Sequence, residues 1–453
     1  MVLVGHLADV HLGTRKYRGQ LVFPPGYEVG GEFSSLLSRD VWEVLGRGLE
    51  ELWGRGVGVV VLSGDVFDVA RPDNRELARA VRFFRGWAGR GLRFVAVPGD
   101  HDTPGLRDHT PLHTLAEAVD GFFLLGAVPL GGRLGREGLE RRVDGAVFYG
   151  VPYVRGVPER RRGLVARVVR LIDAWAREVR GPRVVLAHFG LEPFTHESDA
   201  LGRPGDLLPR SVSYVALGHV HRRVVVTDFG VPFAYPGSLV PMSVEEVRLR
   251  QERGPLLVEL PGDGGPARVE SVPVEPARAY LEVTASAGEL ASAVAERVRG
   301  LGQEEPPLVH VHLLAGRGES VRELRRVLER VARDLHVVLR LASIRRPGAR
   351  LGASSGVAAP VEGSPGGVEL AVLEELVGSR RVAEKVLELK AALVAGDMEL
   401  AGRVVLELAG EEYRGELERL VARLYRAPRP SSRPARRRAS ARGPRGRGLD
   451  SFF

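Results

Sequence analysis

The sequence predicts an α/β fold whose strands are buried on both faces, and three observations carry that expectation. Five short apolar runs in the first 220 residues, LVGHLADVH, VGVVVLSGDVFD, LRFVAVPGDHD, PRVVLAHFG and YVALGHVH, each stop at Asp or His. Continuous Val, Leu and Ala bounded by glycine suit strands covered on both sides, because a half-exposed strand would alternate with polar residues. Between the second and third runs, RELARAVRFFRGWAGRG places Leu77, Val81 and Phe84 at helical spacing, so strand and helix alternate. Ligands gather at the carboxyl ends of strands in such sheets, so the five polar clusters should meet at one edge.

A chain of 453 residues exceeds one core and divides by composition. Residues 1–250 hold the five runs. Residues 251–346 form a smaller α/β unit in which RAYLEV, LVHVHLL and HVVLRLASI read as strands, and the stretch after RAYLEV and VRELRRVLERVARDL read as helices. The stretch 347–367 is rich in Gly, Pro, Ser and Ala and reads as a flexible linker. In 368–426 a stripe of Leu370, Leu373, Val377, Val382, Val386, Leu389 and Leu393, then Leu400, Val404 and Leu408, reads as amphipathic helices. Such a helical pair has too little core of its own and should dock on a partner. Residues 427–453 form a disordered basic tail.

Composition excludes several chemistries. There is no cysteine, so disulfides, thiolate metal sites and cysteine nucleophiles are ruled out, and any metal must rest on His and carboxylate. No window approaches the roughly 18 apolar residues of a membrane span, and MVLVGHLADVH lacks the basic-then-apolar signal pattern, so a cytoplasmic, nucleoid-associated protein is expected. The formal net charge is +8, yet from Arg426 onward nine Arg face a single Asp, so the body is formally neutral and the basic character sits in the tail. That tail suits a sequence-independent, salt-sensitive phosphate-binding arm.

Singly, each polar cluster has a bland reading: a cap, a turn, or a histidine facing a core. Together they supply the His, carboxylate and water donors of two metal sites for manganese, iron or zinc. Two ions about 3.5 to 4 Å apart suit displacement at a phosphoester and need a shared carboxylate, for which Asp65, in GDVFD after the longest Val run, is the candidate. A histidine near the ions but not bound to them can protonate the leaving oxygen.

The ordered set ADVH, SGDVFD, PGDHD, AHFG and LGHVH resembles the calcineurin-like metallophosphoesterases. ADVHLG, GDVFD followed by ARP, and YVALGHVHRR followed by YPGS narrow the resemblance to the meiotic recombination eleven family (SbcD in bacteria), the nuclease subunit of a DNA double-strand-break repair complex. The resemblance implies an αββα sandwich, a small α/β DNA-capping domain and a C-terminal helical partner-binding segment. It implies that Asp9, His11, Asp65 and His221 hold one metal, that Asp65, Asp100, His188 and His219 hold the other, and that His101 is the catalytic acid. The implied cofactor is two Mn2+ ions per subunit. The implied activity is 3′ to 5′ exonuclease action on duplex DNA and endonuclease action on single strands and hairpins. The implied partners are DNA, a second copy of the chain, and a Rad fifty or SbcC-like coiled-coil ATPase bound through 368–426.

Two positions depart from the family pattern. GDHD replaces the usual GNHD, so Asp100 brings a carboxylate where an amide would stand, and Asp68 stands where several archaeal relatives carry His. An extra carboxylate should hold metal more tightly and an anionic substrate less well. Asp100 is also what favours a different reading, a catalytically weak DNA-binding scaffold; a metallophosphatase acting on small phosphoesters is the other alternative. The remaining histidines have packing readings: His6 in a core, His310 and His312 on a strand remote from the motifs, His109 and His113 in a packing or dimer role. At the C-terminus Leu449, Phe452 and Phe453 in LDSFF resemble a sliding-clamp interaction box, with Gly446 where the usual Gln would stand.

Overall fold

The computed structural model describes residues 1–103, 109–127, 134–154, 158–196, 199–302, 304–316, 319–345 and 384–389, with 404 and 407. The linker, the tail with LDSFF, and most of 368–426 lie outside the described residues.

In chain order the first elements are β1 (Val2–Leu7), β2 (Leu21–Val22), α1 (Leu36–Gly54), β3 (Val59–Ser63), α2 (Asn74–Gly89), β4 (Arg93–Val97), α3 (Pro111–Ala118) and β5 (Phe122–Leu124). Then come β6 (Glu140–Val143), β7 (Ala146–Gly150), α4 (Pro158–Arg177), β8 (Arg183–His188), α5 (Pro204–Leu207), β9 (Tyr214–Gly218), β10 (Val224–Val226), β11 (Phe233–Tyr235), α6 (Val244–Arg248), β12 (Leu256–Leu260) and β13 (Arg268–Ser271). The last are β14 (Tyr280–Ser286), α7 (Leu290–Val298), β15 (Leu308–Leu314), α8 (Val321–Leu335) and β16 (Val338–Arg345).

Two six-stranded sheets, ordered β13-β12-β1-β3-β4-β5 and β10-β11-β9-β8-β7-β6, pack face to face. Strand alternation builds the layers. On β3, Val59 and Val61 point into the core between the sheets with Val4, Val95, Leu186 and Ala216, while Val60 and Leu62 point outward to the core beneath α1 and α2. The second sheet does the same, with Val185, Ala187, Val215 and Leu217 facing Val165, Val169 and Ile172 of α4. The result is the αββα sandwich that the resemblance implies. The five motif runs are β1, β3 and β4 of one sheet and β8 and β9 of the other, so their ends meet across two sheets, not along one.

α2 begins at the N-cap Asp73, whose carboxylate accepts the Glu76 N–H. Its buried stripe is Glu76, Ala80, Phe84 and Trp87, with Leu77 and Val81 at its border. Glu76 can be buried because it accepts the indole N–H of Trp42 at 2.6 Å.

The expected boundary after residue 250 is corrected by the sheet register. β12 pairs antiparallel with β1, Val2 opposite Leu260 and His6 opposite Leu256, and β13 pairs with β12. Leu256, Val258 and Leu260 are core residues between the sheets, so residues 256–271 complete the large unit. The small unit starts at β14, with parallel strands β14-β15-β16 and an edge contributed by β2 from near the N-terminus. The exposed and buried positions of LLVEL carry the clue, because an isolated surface strand would not bury four of its five residues.

One buried network seats the small unit. Arg278, fully buried just before β14, gives its guanidinium to Asp40 of α1 at 2.8 Å, to Pro306 O at 2.8 Å and to the Tyr27 hydroxyl at 2.9 Å. Tyr280 donates to the same Asp40 carboxylate at 2.7 Å. Removing one member of a fully buried pair strands the other charge, which costs about 3–5 kcal/mol. Arg278→Ala is therefore expected to lose stability on that scale in denaturant titrations, and a joint Arg278→Met, Asp40→Leu replacement to recover part of it.

His6 is a core residue, as its packing reading expects. It bridges the two sheets through a 2.8 Å hydrogen bond between Nδ1 and the Tyr214 hydroxyl. Burial pushes its pKa down to about 3, only partly opposed by a backbone hydrogen bond at Leu217. Above the ordinary value near 6.5 the group is neutral in both folded and unfolded chains. As pH falls below that value the unfolded chain takes up the proton first, removing up to about 1.4 kcal/mol per pH unit from stability. Melts between pH 7.5 and 5 should therefore fall more steeply for the parent than for His6→Gln.

Candidate metal centre

The ends of β1, β3, β4, β8 and β9 bring every predicted ligand to one place. Asp9, His11, Asp65 and His188 are buried, while Asp100, His219 and His221 are partly open. Asp9, His11, Asp65 and His219 all have positive φ, at 51°, 56°, 51° and 94°. Side-chain-bearing residues adopt that conformation at a cost of roughly 1–2 kcal/mol each, so the surroundings must hold them there.

They do so by stitching the strand-end loops together. The N–H groups of Asp9, His11 and Leu12 donate to the carbonyls of Gly64, Asp65 and Val66, at 3.1, 3.0 and 2.8 Å. The His219 N–H donates to both oxygens of Asp9, at 3.0 and 3.1 Å, and the His101 N–H donates to Asp65 Oδ1 at 2.9 Å. Gly64 has φ +87°, and a Cβ there would stand 2.2 Å from His188 Nδ1; at Gly99 it would stand 2.1 Å from Asp65 Oδ1. The glycines of SGD and PGD are thus required by the closeness of the ligand side chains.

The donor geometry fits two ions. Donors around one ion at about 2.1 Å stand roughly 3 to 4.2 Å from one another. His11 Nε2 and His221 Nε2 face each other at 3.1 Å, with Asp9 Oδ1 3.9 Å from the latter and Asp65 Oδ2 4.0 Å from the former. On the other side His188 Nε2 lies 3.0 Å from Asp100 Oδ1 and 3.4 Å from Asp65 Oδ2, and His219 Nδ1 lies 3.3 Å from Asp100 Oδ1. One oxygen of Asp65 therefore reaches both groups. Two imidazole lone pairs pointed at each other across 3.1 Å repel unless a proton or a cation lies between them.

Three of the imidazoles have their outer nitrogen hydrogen-bonded, which turns the other inward. His188 Nδ1–H donates to Ser63 O at 2.8 Å, His219 Nε2–H to Asp199 at 2.8 Å, and His221 Nδ1–H to Glu246 at 2.9 Å. His11 Nδ1 stands 3.2 Å from the Asp68 carboxylate. Outer partners of this kind fix the tautomer and raise the basicity of a ligating histidine. Sequence reasoning missed Asp199 and Glu246, since neither lies in a motif. At Asp68 the departure from the family pattern is a carboxylate positioned behind His11.

The electrostatics favour added positive charge. Burial would lower the His219 pKa, but hydrogen bonds to Asp100 and Asp199 lift it to about 9. Burial likewise opposes the protonated form of His188, and Asp65 and Asp100 overcome it to raise the pKa well above the ordinary value. Burial tends to raise the Asp100 pKa, yet His188 and His219 hold it well below the usual carboxylate range. The same negative surroundings that raise these imidazole pKa values would also favour a dication in their place.

His101 stands beside the ligands: its Nδ1–H donates to Asp68 O at 2.7 Å, and its Nε2 lies 3.9 Å from Asp100 Oδ2. Burial lowers its pKa, but Asp65, the Asp68 carbonyl and Asp100 outweigh this, so the net direction is upward. Asp102, the last residue of GDHD, is fully buried and accepts the N–H groups of Val66, Phe67 and Gly99 at 3.1, 2.9 and 3.1 Å. Burial, reinforced by Asp65, raises its pKa to about 6. The other histidines lie elsewhere: His310 and His312 are buried on β15, and the rings of His109 and His113 stack at 4.4 Å.

With the geometry in place, comparison with known proteins becomes informative. No family model matches the chain. The DNA double-strand break repair protein Mre11 of Aeropyrum pernix is 33% identical over 282 residues, 61% of this chain and 62% of that protein. The Mre11 of Saccharolobus solfataricus is 26% identical over 252 residues, 54% of this chain and 57% of that one. The chain is similar to archaeal Mre11 proteins over these stretches. It spans about three fifths of the length of these two Mre11 proteins. Among solved structures, a putative 5′-nucleotidase from Staphylococcus aureus matches at TM-score 0.37 and 14% identity, covering 61% of this chain and 54% of that one. A dimetal phosphatase from Danio rerio matches at TM-score 0.34 and 12% identity, covering 59% and 98%. Likenesses that small add nothing to the Mre11 relationship.

Asp102 supplies the test of how the chain keeps this site. Asp102→Ala leaves three buried N–H groups without an acceptor, at about 1–3 kcal/mol each in desolvation. The variant is expected to lose several degrees of melting temperature and to weaken metal binding at both groups, as read by titration calorimetry.

Proposed function

We propose that the chain is a two-metal phosphodiesterase that cleaves DNA at broken ends. Asp65 is the observation that carries this reading. One of its carboxylate oxygens lies within 4.0 Å of His11 Nε2 and 3.4 Å of His188 Nε2, and its other oxygen holds the His101 backbone. A shared carboxylate between two His and Asp groups is what a pair of closely spaced dications needs. The Mre11 relatives, named as DNA double-strand break repair proteins, point to DNA as the substrate. In this reading Asp9, His11, Asp65 and His221 hold one ion, and Asp65, Asp100, His188 and His219 the other. Mn2+ is the proposed ion, as the resemblance implies; His, carboxylate and water donors by themselves suit manganese, iron or zinc alike.

The bound pair would polarise the phosphodiester and supply a hydroxide nucleophile near neutral pH. The chain's own contribution is positional. Asp65 holds the two ligand groups in register, and Asp102 holds the loop that carries Asp100 and His101. His101, its Nδ1–H fixed on Asp68 O, presents Nε2 to the site and would give its proton to the departing oxygen. Asp100 subtracts one positive charge from the centre, so it should tighten metal and loosen the anionic substrate.

The finer proposals follow the resemblance: 3′ to 5′ exonuclease action on duplexes, endonuclease action on single strands and hairpins, a homodimer, and a coiled-coil ATPase bound through 368–426. A sliding clamp bound through Leu449, Phe452 and Phe453 completes them. Asp100 is the observation that favours the scaffold reading, because a more anionic centre opposes an anionic substrate.

Labelled hairpin and blunt duplex DNA with added Mn2+ discriminate the readings. The parent should cut both, His101→Ala should lose about 10²–10⁴-fold in rate with metal binding retained, and Asp65→Ala should lose both activity and paired metal binding. Asp100→Asn is expected to lower KM for DNA while weakening metal affinity. A parent inert where Asp100→Asn cuts would favour the scaffold.

A further inference from the structure

We propose that Glu246 is a positioning residue for His221, and that through it α6 ties the metal centre to the seat of the small α/β unit. The inference rests on the two-metal reading above.

The carboxylate of Glu246 is divided between two tasks. Oε1 accepts the Nδ1–H of His221 at 2.9 Å, on the side away from His11 and Asp9. Oε2 accepts the Ser238 hydroxyl at 2.8 Å and the Met242 N–H at 3.2 Å, and the Arg253 guanidinium stands 3.3 Å away. Three groups outside the centre thus fix the carboxylate, and its free edge fixes the imidazole. The His221 main chain is held by the same segment, its carbonyl accepting from Ser238 N–H at 3.1 Å and from the Gln251 amide at 3.3 Å. With both ring and backbone tethered, Nε2 can point only toward His11 and Asp9.

Glu246 lies within α6, a short helix started by the Ser243 N-cap. Two residues further on, Arg248 makes a two-point pair with Glu282 of β14, at 2.8 and 2.6 Å. His221, Glu246, Arg248 and Glu282 therefore form one continuous path from the centre to the first strand of the small unit. An open cleft of about 760 Å³, lined by Arg47, Glu246, Arg253, Arg278 and Tyr280 among others, borders α6 where the two units meet. Val244 and Val247 pack the helix against the body, and the polar tethers fix the carboxylate on its cleft side. A carboxylate behind Nδ1–H also makes the imidazole a stronger donor to a dication than an amide would. A shift of β14 against α1 would then change the orientation and the basicity of one ligand together.

The test is Mn2+ binding to the full chain, followed by the electron paramagnetic resonance of the free ion and by calorimetry, with melting curves alongside. The parent should bind two ions. Glu246→Gln keeps an acceptor for His221 without the charge, and should weaken one site by about 10–100-fold while leaving the other unchanged. Ser238→Ala removes one of the three groups that fix the same carboxylate and should weaken the same site by less than Glu246→Gln does. Arg248→Ala should weaken the Glu246-dependent site alone, by less than Glu246→Gln does. Unchanged binding in Glu246→Gln, or equal losses in Glu246→Gln and Ser238→Ala, would overturn the positioning role. Unchanged binding in Arg248→Ala would overturn the tie to the small unit. A parent that binds no Mn2+ and cuts no DNA would instead remove the two-metal reading on which the inference stands.

Discussion

The Asp65 carboxylate is the point on which the rest of this structure depends. It sits at positive φ two residues beyond the Val-rich strand β3, and its carbonyl accepts the His11 N–H. Its Oδ1 accepts the His101 N–H, and its Oδ2 faces both His11 and His188. Four strand ends are therefore referred to one side chain. Burying that charge is unfavourable in itself, and the imidazoles around it, His188 first, offset the penalty and hold its pKa down. The sandwich exists around this cluster as much as beneath it: three strand ends come from one sheet and two from the other, and the cluster joins them across the seam.

Around that centre the protein uses carboxylates in three distinct ways. Asp9, Asp65 and Asp100 face inward, where negative charge draws in protons or dications. Asp68, Asp199 and Glu246 stand behind histidines and decide which nitrogen turns inward. Asp102 faces neither way; it accepts three backbone N–H groups and shapes the loop. Chemically identical groups thus do different work because burial and hydrogen bonding differ, and their pKa directions separate accordingly: Asp100 far down, Asp102 up to about 6, Glu246 down to about 2. The Asp in GDHD adds to the inward-facing set, which makes this centre more cation-seeking than one with an amide there.

The small unit is not an independent appendage. Its edge strand β2 comes from residues just beyond the first motif, and Arg278 and Tyr280 converge on Asp40 within the body of α1. Two anchors of opposite kind hold it: a fully buried network at Arg278 and an exposed ion pair at Arg248. The first supplies rigidity, because its members lose too much if separated. The second is worth little as stability, but it lies two residues from Glu246 and so touches the metal centre.

The sequence by itself determined the strands and the polar residues at their ends, because those depend on local pattern: apolar runs long enough to cross a sheet, each closed by Gly and by Asp or His. Asp9, His11, Asp65, Asp100, His188, His219 and His221 stand out in this way, while their division into two ligand sets and the role of His101 came only with the resemblance. The division between units was misread at residue 250, since the partner of LLVEL is β1, more than 250 residues earlier, and nothing local records that pairing. The outer partners were invisible for the same reason. Glu246 lies 25 residues from His221, Asp199 lies 20 from His219, and neither follows a spacing rule. Asp40 and Arg278 are 238 residues apart and read separately as ordinary helix and loop charges. Local chemistry chose the Asp and His side chains at the strand ends, whereas the folding of two sheets and a third against them decided which charge stands behind each of them.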